Sequence, residues 1–210
     1  DYYRSFYNVI FRANTVLANL DIATSENRAK IEGEAKFVRA YAYFNLVRLY
    51  GDIPVITSVI STGDTDVQFT RVATSNVYDL IETDLLTAIG GLDNSSKLRG
   101  SKAAAQALLA KVYLTRGANY TEAQQLCEAV MGSGFMLQPN FKDVFYNELN
   151  SEIIFAIGYQ EDSADSQNFS AEWLNAVGRT SGVNYTTADV RTVLNDLGGN
   201  RTPYSYRVDT

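Results

Sequence analysis

Residues 30–54 read KIEGEAKFVRAYAYFNLVRLYGDIP, and this stretch decides the fold. Apolar or small residues at Ile31, Ala35, Val38, Ala42, Leu46 and Leu49 recur at helical spacing, and Phe37, Tyr41 and Phe44 form a second row beside them. A stripe this wide meets two neighbours at once. Ala35 and Ala42 admit a close helix, and the aromatics fill the space around them. Gly51 supplies the left-handed turn that ends a helix, and Pro54 prevents continuation. The stretch is therefore read as a central packing helix with a firm stop.

Working outward, residues 2–20 form a first helix with Phe6, Ile10, Ala13, Leu17 and Leu20 on one face and Asn8, Arg12 and Asn19 on others. The polar stretch 21–27 makes an antiparallel hairpin with the central helix. After Pro54 come a short extended segment, Val55 to Ile60, and a polar loop, Ser61 to Asp66. Thr74 or Ser75 caps a third helix carrying Val77, Leu80, Ile81, Leu85 and Ala88 inward, stopped by Gly90 and Gly91. Ser101 caps a fourth, with Ala104, Leu108 and Val112 beside Ala107 and Leu114, ended by Gly117. Thr121 caps a fifth, with Ala123, Leu126, Ala129 and Val130 inside, closed by Gly132-Ser133-Gly134. Helix, short turn, helix over 101–134, with alanines where axes approach, is similar to a tetratricopeptide unit, although no strict 34-residue repeat recurs. The expected class is mainly α, a tetratricopeptide-like scaffold over 1–138 followed by a loop-rich part, 139–210, with little strand. In that second part EIIFAIGY, Glu152 to Tyr159, reads as a strand or extended segment, and a short helix is expected from about Thr187 to Leu197.

Composition closes off several functions. Net charge is −6 with no basic cluster, against a nucleic-acid partner. Histidine is absent, which removes His-based triads and the common zinc sites, and one cysteine, Cys127, excludes an intrachain disulfide. Cys127 lies between Leu126 and Ala129 and reads as a buried, inert thiol. No run approaches a membrane span and no signal segment opens the chain. The start at Asp1, inside a helical pattern, reads as trimmed or processed, so a missing targeting segment says little about localisation.

Candidate chemistry is sparse. Glu32 and Glu34 in a helix, and Glu161, Asp162 and Asp165 in a loop, read as solvated acids and not as a glycosidase pair. Asp64, Asp66 and the loop acids lack EF-hand spacing, and residues 90–97 lack the glycine pattern of a phosphate loop, so no metal or cofactor is expected. The Asn-x-Ser/Thr triplets at Asn94, Asn119, Asn168, Asn184 and Asn200 follow from composition. Stronger is the mixture after the extended segment: Tyr159, Gln160, Asn168, Trp173, Asn175 and Tyr185. Aromatic rings stack on the C–H face of a sugar while amides bond its hydroxyls, and loops carry such sites. The competing reading is that the lone aromatics, Phe169 included, pin the loops to the core.

The segment IEGEAKFVRAYAYFNLVRLYGDIPVIT resembles the signature of the SusD/RagB family, through Glu34-Ala35-Lys36-Phe37, Arg39-Ala40, Tyr43-Phe44, Leu49-Tyr50-Gly51-Asp52 and Pro54. NVIFRAN (8–14), VYDLIETDLLTAI with Leu92, SKAAAQALLAKVYLTRGANY (101–120) and NSEIIFAIGYQ (150–160) follow the family in order across nearly the whole chain. The resemblance implies nutrient-binding outer-membrane lipoproteins of Bacteroidetes: tetratricopeptide-like helices carrying a loop-rich face, glycan capture at the cell surface, docking on a SusC-like TonB-dependent transporter, and no chemical step. Membrane attachment would run through an N-terminal lipid-bearing cysteine that this chain does not contain. Family members are longer, their ligand residues vary, and the six loop residues above are our own inference. The alternatives from other classes are a helical-repeat adaptor without a sugar site and a glycoside hydrolase.

Overall fold

A computed structural model of the chain describes residues 2–61, 63–64, 69–159 and 186–206. The chain divides into two compact units, Asp1–Phe135 and Met136–Thr210. The first holds α1 (Tyr2–Ala18), a 3-10 turn (Leu20–Ile22), α2 (Ser25–Tyr50), α3 (Thr74–Gly91), α4 (Lys102–Arg116) and α5 (Tyr120–Met131). The second holds α6 (Phe141–Tyr146), α7 (Ala188–Leu197), a 3-10 turn (Gly199–Arg201) and α8 (Thr202–Ser205). The protein is mainly α, and among the described residues its one β feature is an isolated antiparallel bridge between Ile53 and Val72.

In the first unit each helix packs on its sequence neighbour, α1 on α2, α2 on α3, α3 on α4 and α4 on α5. Helix α2 lies between α1 and α3 and also touches α4. Having packed neighbours on more than one side, it buries residues around much of its circumference, among them Ala35, Phe37, Ala40, Ala42, Tyr43, Phe44, Leu46 and Val47. The wide stripe does meet two neighbours, with Ala35, Ala42, Leu46, Phe37 and Phe44 buried, but not every position of its rows is covered. Val38, Tyr41 and Leu49 are exposed, because the buried arc is set by the neighbours and not by one line of apolar positions. Glycines allow α2 and α3 to approach: a Cβ on Gly33 would come within 2.9 Å of Leu92 Cγ, and one on Gly91 within 2.4 Å of the Ala29 carbonyl oxygen.

A buried charged network crosses this layer. Arg39 donates from Nε to Asp84 Oδ2 at 2.7 Å and from Nη2 to Asp84 Oδ1 at 2.8 Å, a bidentate pair between α2 and α3. Its Nη1 donates to Asn14 Oδ1 of α1 at 2.8 Å. The Asn14 amide then donates to the carbonyls of Ile56 and Ser58 at 3.0 and 3.2 Å. The Tyr43 hydroxyl donates to the Ile56 carbonyl at 2.8 Å and accepts from the Ile56 N–H at 2.7 Å, and Tyr7 donates to the Pro54 carbonyl at 2.7 Å. The expected extended segment 55–60 therefore forms no strand. Within it the Ile56 N–H and the carbonyls of Ile56 and Ser58 are met by side chains of α1 and α2. No buried side-chain nitrogen or oxygen among the described residues lacks a partner.

Helix ends follow the sequence only where the cap is local. Ser101 Oγ accepts from the Ala104 N–H at 3.1 Å as expected, reinforced by Asn94 Oδ1 accepting from the Ala103 N–H at 2.8 Å. Gly117 is left-handed with φ 69°, and Gly51 has φ 70°. Neither Thr74 nor Ser75 caps α3. The cap position is Ala73, and the Thr74 N–H is met by Asp52 Oδ1 at 3.0 Å, from the far side of the loop. Thr121 does not cap α5, which starts at Tyr120 behind a left-handed Asn119. Cys127 is exposed, contrary to the buried-thiol reading: α5 packs on α4 and buries only Ala123 and Val130, so Ala129 is exposed too. Leu114 points outward for the same reason, while α4 buries Leu109 and Tyr113.

In the second unit residues 152–159 form no strand. The Ile153 N–H donates locally to the Asn150 carbonyl at 3.3 Å, and the bond from the Met136 N–H to the Ser151 carbonyl at 3.1 Å is not extended into a ladder. The expected helix is present as α7, with Thr187 at its N-terminus accepting from the Val190 N–H at 3.4 Å.

Asp84→Ala leaves the Arg39 guanidinium buried without its carboxylate and is expected to cost about 3–5 kcal/mol. Arg99→Ala, which breaks an ion pair whose arginine is exposed, is expected to cost less than ~1 kcal/mol. Urea midpoints at constant m-value check both. Burial pushes the Tyr43 phenol up to about 12 and raises that of Tyr7 as well. The folded state thus prefers the neutral phenols, and their contribution is complete below the ordinary tyrosine value. It is lost as pH rises through about 12 for Tyr43. Stability should fall in that alkaline window, and less steeply in Tyr43→Phe, as read by denaturant melts across pH.

Candidate functional site

Side-chain bonds shape the second unit before any ligand is considered. Asn150 donates to the carbonyls of Asp143, Val144 and Asn147 at 3.1, 3.0 and 2.9 Å, which satisfies the carbonyl end of the short helix α6. Glu152 Oε2 accepts from the Gln138 N–H at 2.9 Å and closes the loop that precedes it. At the other end Asn200 clamps two segments. Its Nδ2 donates to the Pro139 carbonyl at 3.1 Å and its Oδ1 accepts from the Phe141 N–H at 3.4 Å. Pro203 sits in the first turn of α8, and Thr202 Oγ1 donates to the Leu194 carbonyl.

These bonds leave a cleft of about 350 Å³ lined by Asn140, Lys142, Asp143, Asn200, Pro203 and Tyr204. Asp143 accepts from Asn140 Nδ2 at 3.1 Å and from Asn147 Nδ2 at 3.3 Å. Beside the cleft the rings of Tyr146 and Tyr204 meet at 61° with centroids 6.2 Å apart, and Lys142 Nζ lies 5.9 Å from the Tyr146 ring centre. Tyr146 is 69% exposed and Tyr204 46%. A flat apolar surface edged by an ammonium, a carboxylate and amides can take up a polyhydroxylated ring.

In the first unit a groove of about 500 Å³ runs between α1 and α2. It is walled by Val9, Ala13, Val16, Ile31, Ala35 and Val38 and edged by Arg12 and the Glu34–Arg99 pair. Glu34 Oε1 accepts from Arg99 Nε at 2.9 Å, and that bond raises the arginine's already high pKa. Glu32 pairs with Lys36 at 2.8 Å. Both helix acids are thus engaged in ion pairs and not aimed at one bond. Among the described residues no group of three acidic or cysteine side chains could hold a metal, and no helix is long and apolar enough to cross a membrane.

Of the six sugar-contact residues expected from sequence, Tyr159 is described. It is exposed in irregular chain. Gln160, Asn168, Trp173, Asn175 and Tyr185 lie outside the described residues, as do Glu161, Asp162, Asp165 and Phe169. The aromatic and amide chemistry seen in the cleft comes from residues the sequence reading passed over. Tyr146 and Tyr204 lie 58 positions apart, and the Asn200 clamp helps bring their segments together. A local signal existed in the pairing of tyrosine with asparagine in FYNELN and NRTPYSY.

A family profile described as "SusD-like_3: Starch-binding associating with outer membrane" matches residues 1–114, which span α1 to most of α4. A SusD-like protein P2 of Formosa agariphila is 32% identical over 171 residues, covering 76% of this chain and 34% of that protein. A solved structure titled "Laminarin binding SusD-like protein" is 33% identical, with a TM-score of 0.67, covering 73% of this chain and 36% of that one. A crystal structure titled as being with xylogluco-oligosaccharide is 26% identical, with a TM-score of 0.74, covering 89% and 41%. The chain spans about a third of the length of the curated relatives it matches. The same helices that carry the Arg39 network carry the family match, and the chain belongs to the SusD-like family.

Proposed function

We propose that the protein binds oligosaccharide or polysaccharide nutrients at the bacterial cell surface without chemical change and delivers them to a SusC-like TonB-dependent transporter. In this reading residues 1–138 are the helical scaffold and 139–210 begin the ligand-binding face. Attachment to the outer membrane runs through a lipid on an N-terminal cysteine outside this chain. The observation that carries the reading is the family match across the helical unit, joined to similar structures whose titles name laminarin and a xylogluco-oligosaccharide. The chemistry of the second unit supports it, since exposed tyrosines beside amides suit sugar rings. The pairing of Glu32 and Glu34 with basic partners supports binding over hydrolysis, which needs two carboxyl groups flanking one glycosidic bond. Tyr159, Gln160, Asn168, Trp173, Asn175 and Tyr185 remain our assignment for the loop contacts, with no cofactor required.

One observation favours a second reading, a protein-binding helical scaffold with no sugar site: the apolar groove between α1 and α2. Calorimetric titration with laminarin and xyloglucan oligosaccharides, alongside co-purification with the transporter, separates the two. Saturable glycan binding is expected, and transporter association without it would leave only the scaffold. Within the first reading, Trp173→Ala is expected to weaken glycan binding by about 1–3 kcal/mol, on the scale of aromatic stacking on bases. Unchanged affinity with lowered thermal stability would make Trp173 a structural pin.

A further inference from the structure

We propose that the cleft between α6 and α8 is a subsite for one ring of an uncharged saccharide, built from residues other than the six expected from sequence and resting on the glycan-binding reading above. Its volume, about 350 Å³, falls in the lower part of the ligand-pocket range of ~300–1,000 Å³. Tyr204 and Pro203 give it a flat apolar wall, and Tyr146 meets Tyr204 edge to face and sets its tilt. A pyranose offers the complement: one face of C–H groups to lie on a ring, and a rim of hydroxyls that both donate and accept.

The polar rim has capacity to spare. Lys142 has no carboxylate partner among the described residues, so its ammonium keeps donors for hydroxyl oxygens. Asp143 accepts from Asn140 and Asn147, yet a carboxylate offers about four acceptor positions. Asn140, which also lines the cleft, uses an amide N–H toward Asp143, and its carbonyl oxygen is a further acceptor type at the rim.

Charge selects the class. One ammonium and one carboxylate cancel, so the cleft has no excess cation for a uronic acid or a sulfated sugar, and Asp143 would face such an anion directly. Nor is the geometry left to chance. The Asn200 clamp fixes the α8 side against the start of α6, and Asn150 closes the other end of α6, so both walls exist before a ligand arrives. If Tyr146 and Tyr204 served packing alone, they would cover each other. They are instead 69% and 46% exposed.

The test uses the whole 210-residue chain with its tyrosine rings labelled with carbon-13, titrated with laminarihexaose, a xyloglucan heptasaccharide and trigalacturonate. Shifts of the Tyr204 ring signal on adding a neutral oligosaccharide, an affinity loss of about tenfold in Tyr204→Ala and retention within about twofold in Tyr204→Phe support the subsite. The ring signal in the unsubstituted chain decides the matter should Tyr204→Ala fail to fold. Neutral glycan binding with an unmoved Tyr204 ring and unchanged affinity in Tyr204→Ala overturns the subsite and leaves the broader reading intact. Tighter binding of trigalacturonate overturns the uncharged class. No binding of any neutral oligosaccharide overturns both.

Discussion

The guanidinium of Arg39 is the group on which the helical unit depends. Three of its nitrogens serve neighbours on two other helices, two toward Asp84 in α3 and one toward Asn14 in α1. A buried charge of this kind tolerates no loss of partner, because the desolvated cation would stand uncompensated. The same requirement fixes more than three helices. Asn14 can accept from Arg39 only in an orientation that turns its amide to the carbonyls of Ile56 and Ser58. The chain leaving α2 is thus held by side chains where a strand partner would otherwise be needed. Tyr43 and Tyr7 extend that hold to Ile56 and Pro54. Hydrophobic burial around α2 supplies stability, and the Arg39 network supplies registration among α1, α2 and α3.

Much of this was legible in sequence where the cause is local. Gly51 and Gly117 mark helix ends because a positive φ is awkward for other residues, and Ser101 caps because its hydroxyl reaches an N–H three residues on. Helix order and class followed from periodicity. What periodicity could not show was the set of neighbours. Val38, Tyr41 and Leu49 lie on an apolar row and are exposed, whereas Arg39, Asp84 and Asn14 are polar and buried. The cap of α3 comes from Asp52 across a loop, a pairing no local window contains. Residues 152–159 have strand composition and no ladder, since β-branched side chains favour extended chain and a strand also requires a partner. Cys127 is exposed because an apolar helix face is only buried when something covers it.

The site was less legible than the fold. Sugar recognition was expected from a mixture of residue types within one loop, yet the cleft the structure describes draws that mixture from segments far apart in sequence. Composition can locate chemistry only when its residues are near one another. Tyr204 is placed through Asn200, which in sequence is part of a common triplet and in the structure joins Pro139 and Phe141 through its side-chain amide. The family match, in turn, rests on helices whose own residues serve packing, so it identifies the scaffold more directly than the ligand.

We propose two roles for two stretches of one chain: packing in the helical unit, ligand contact in the residues after it. Hydrogen–deuterium exchange with and without a saturating neutral oligosaccharide tests this division most directly. Slowed exchange confined to residues 136–206, with α1 and α2 unchanged, is the predicted result. Slowed exchange centred on the groove between α1 and α2, with no change after residue 136, would contradict it.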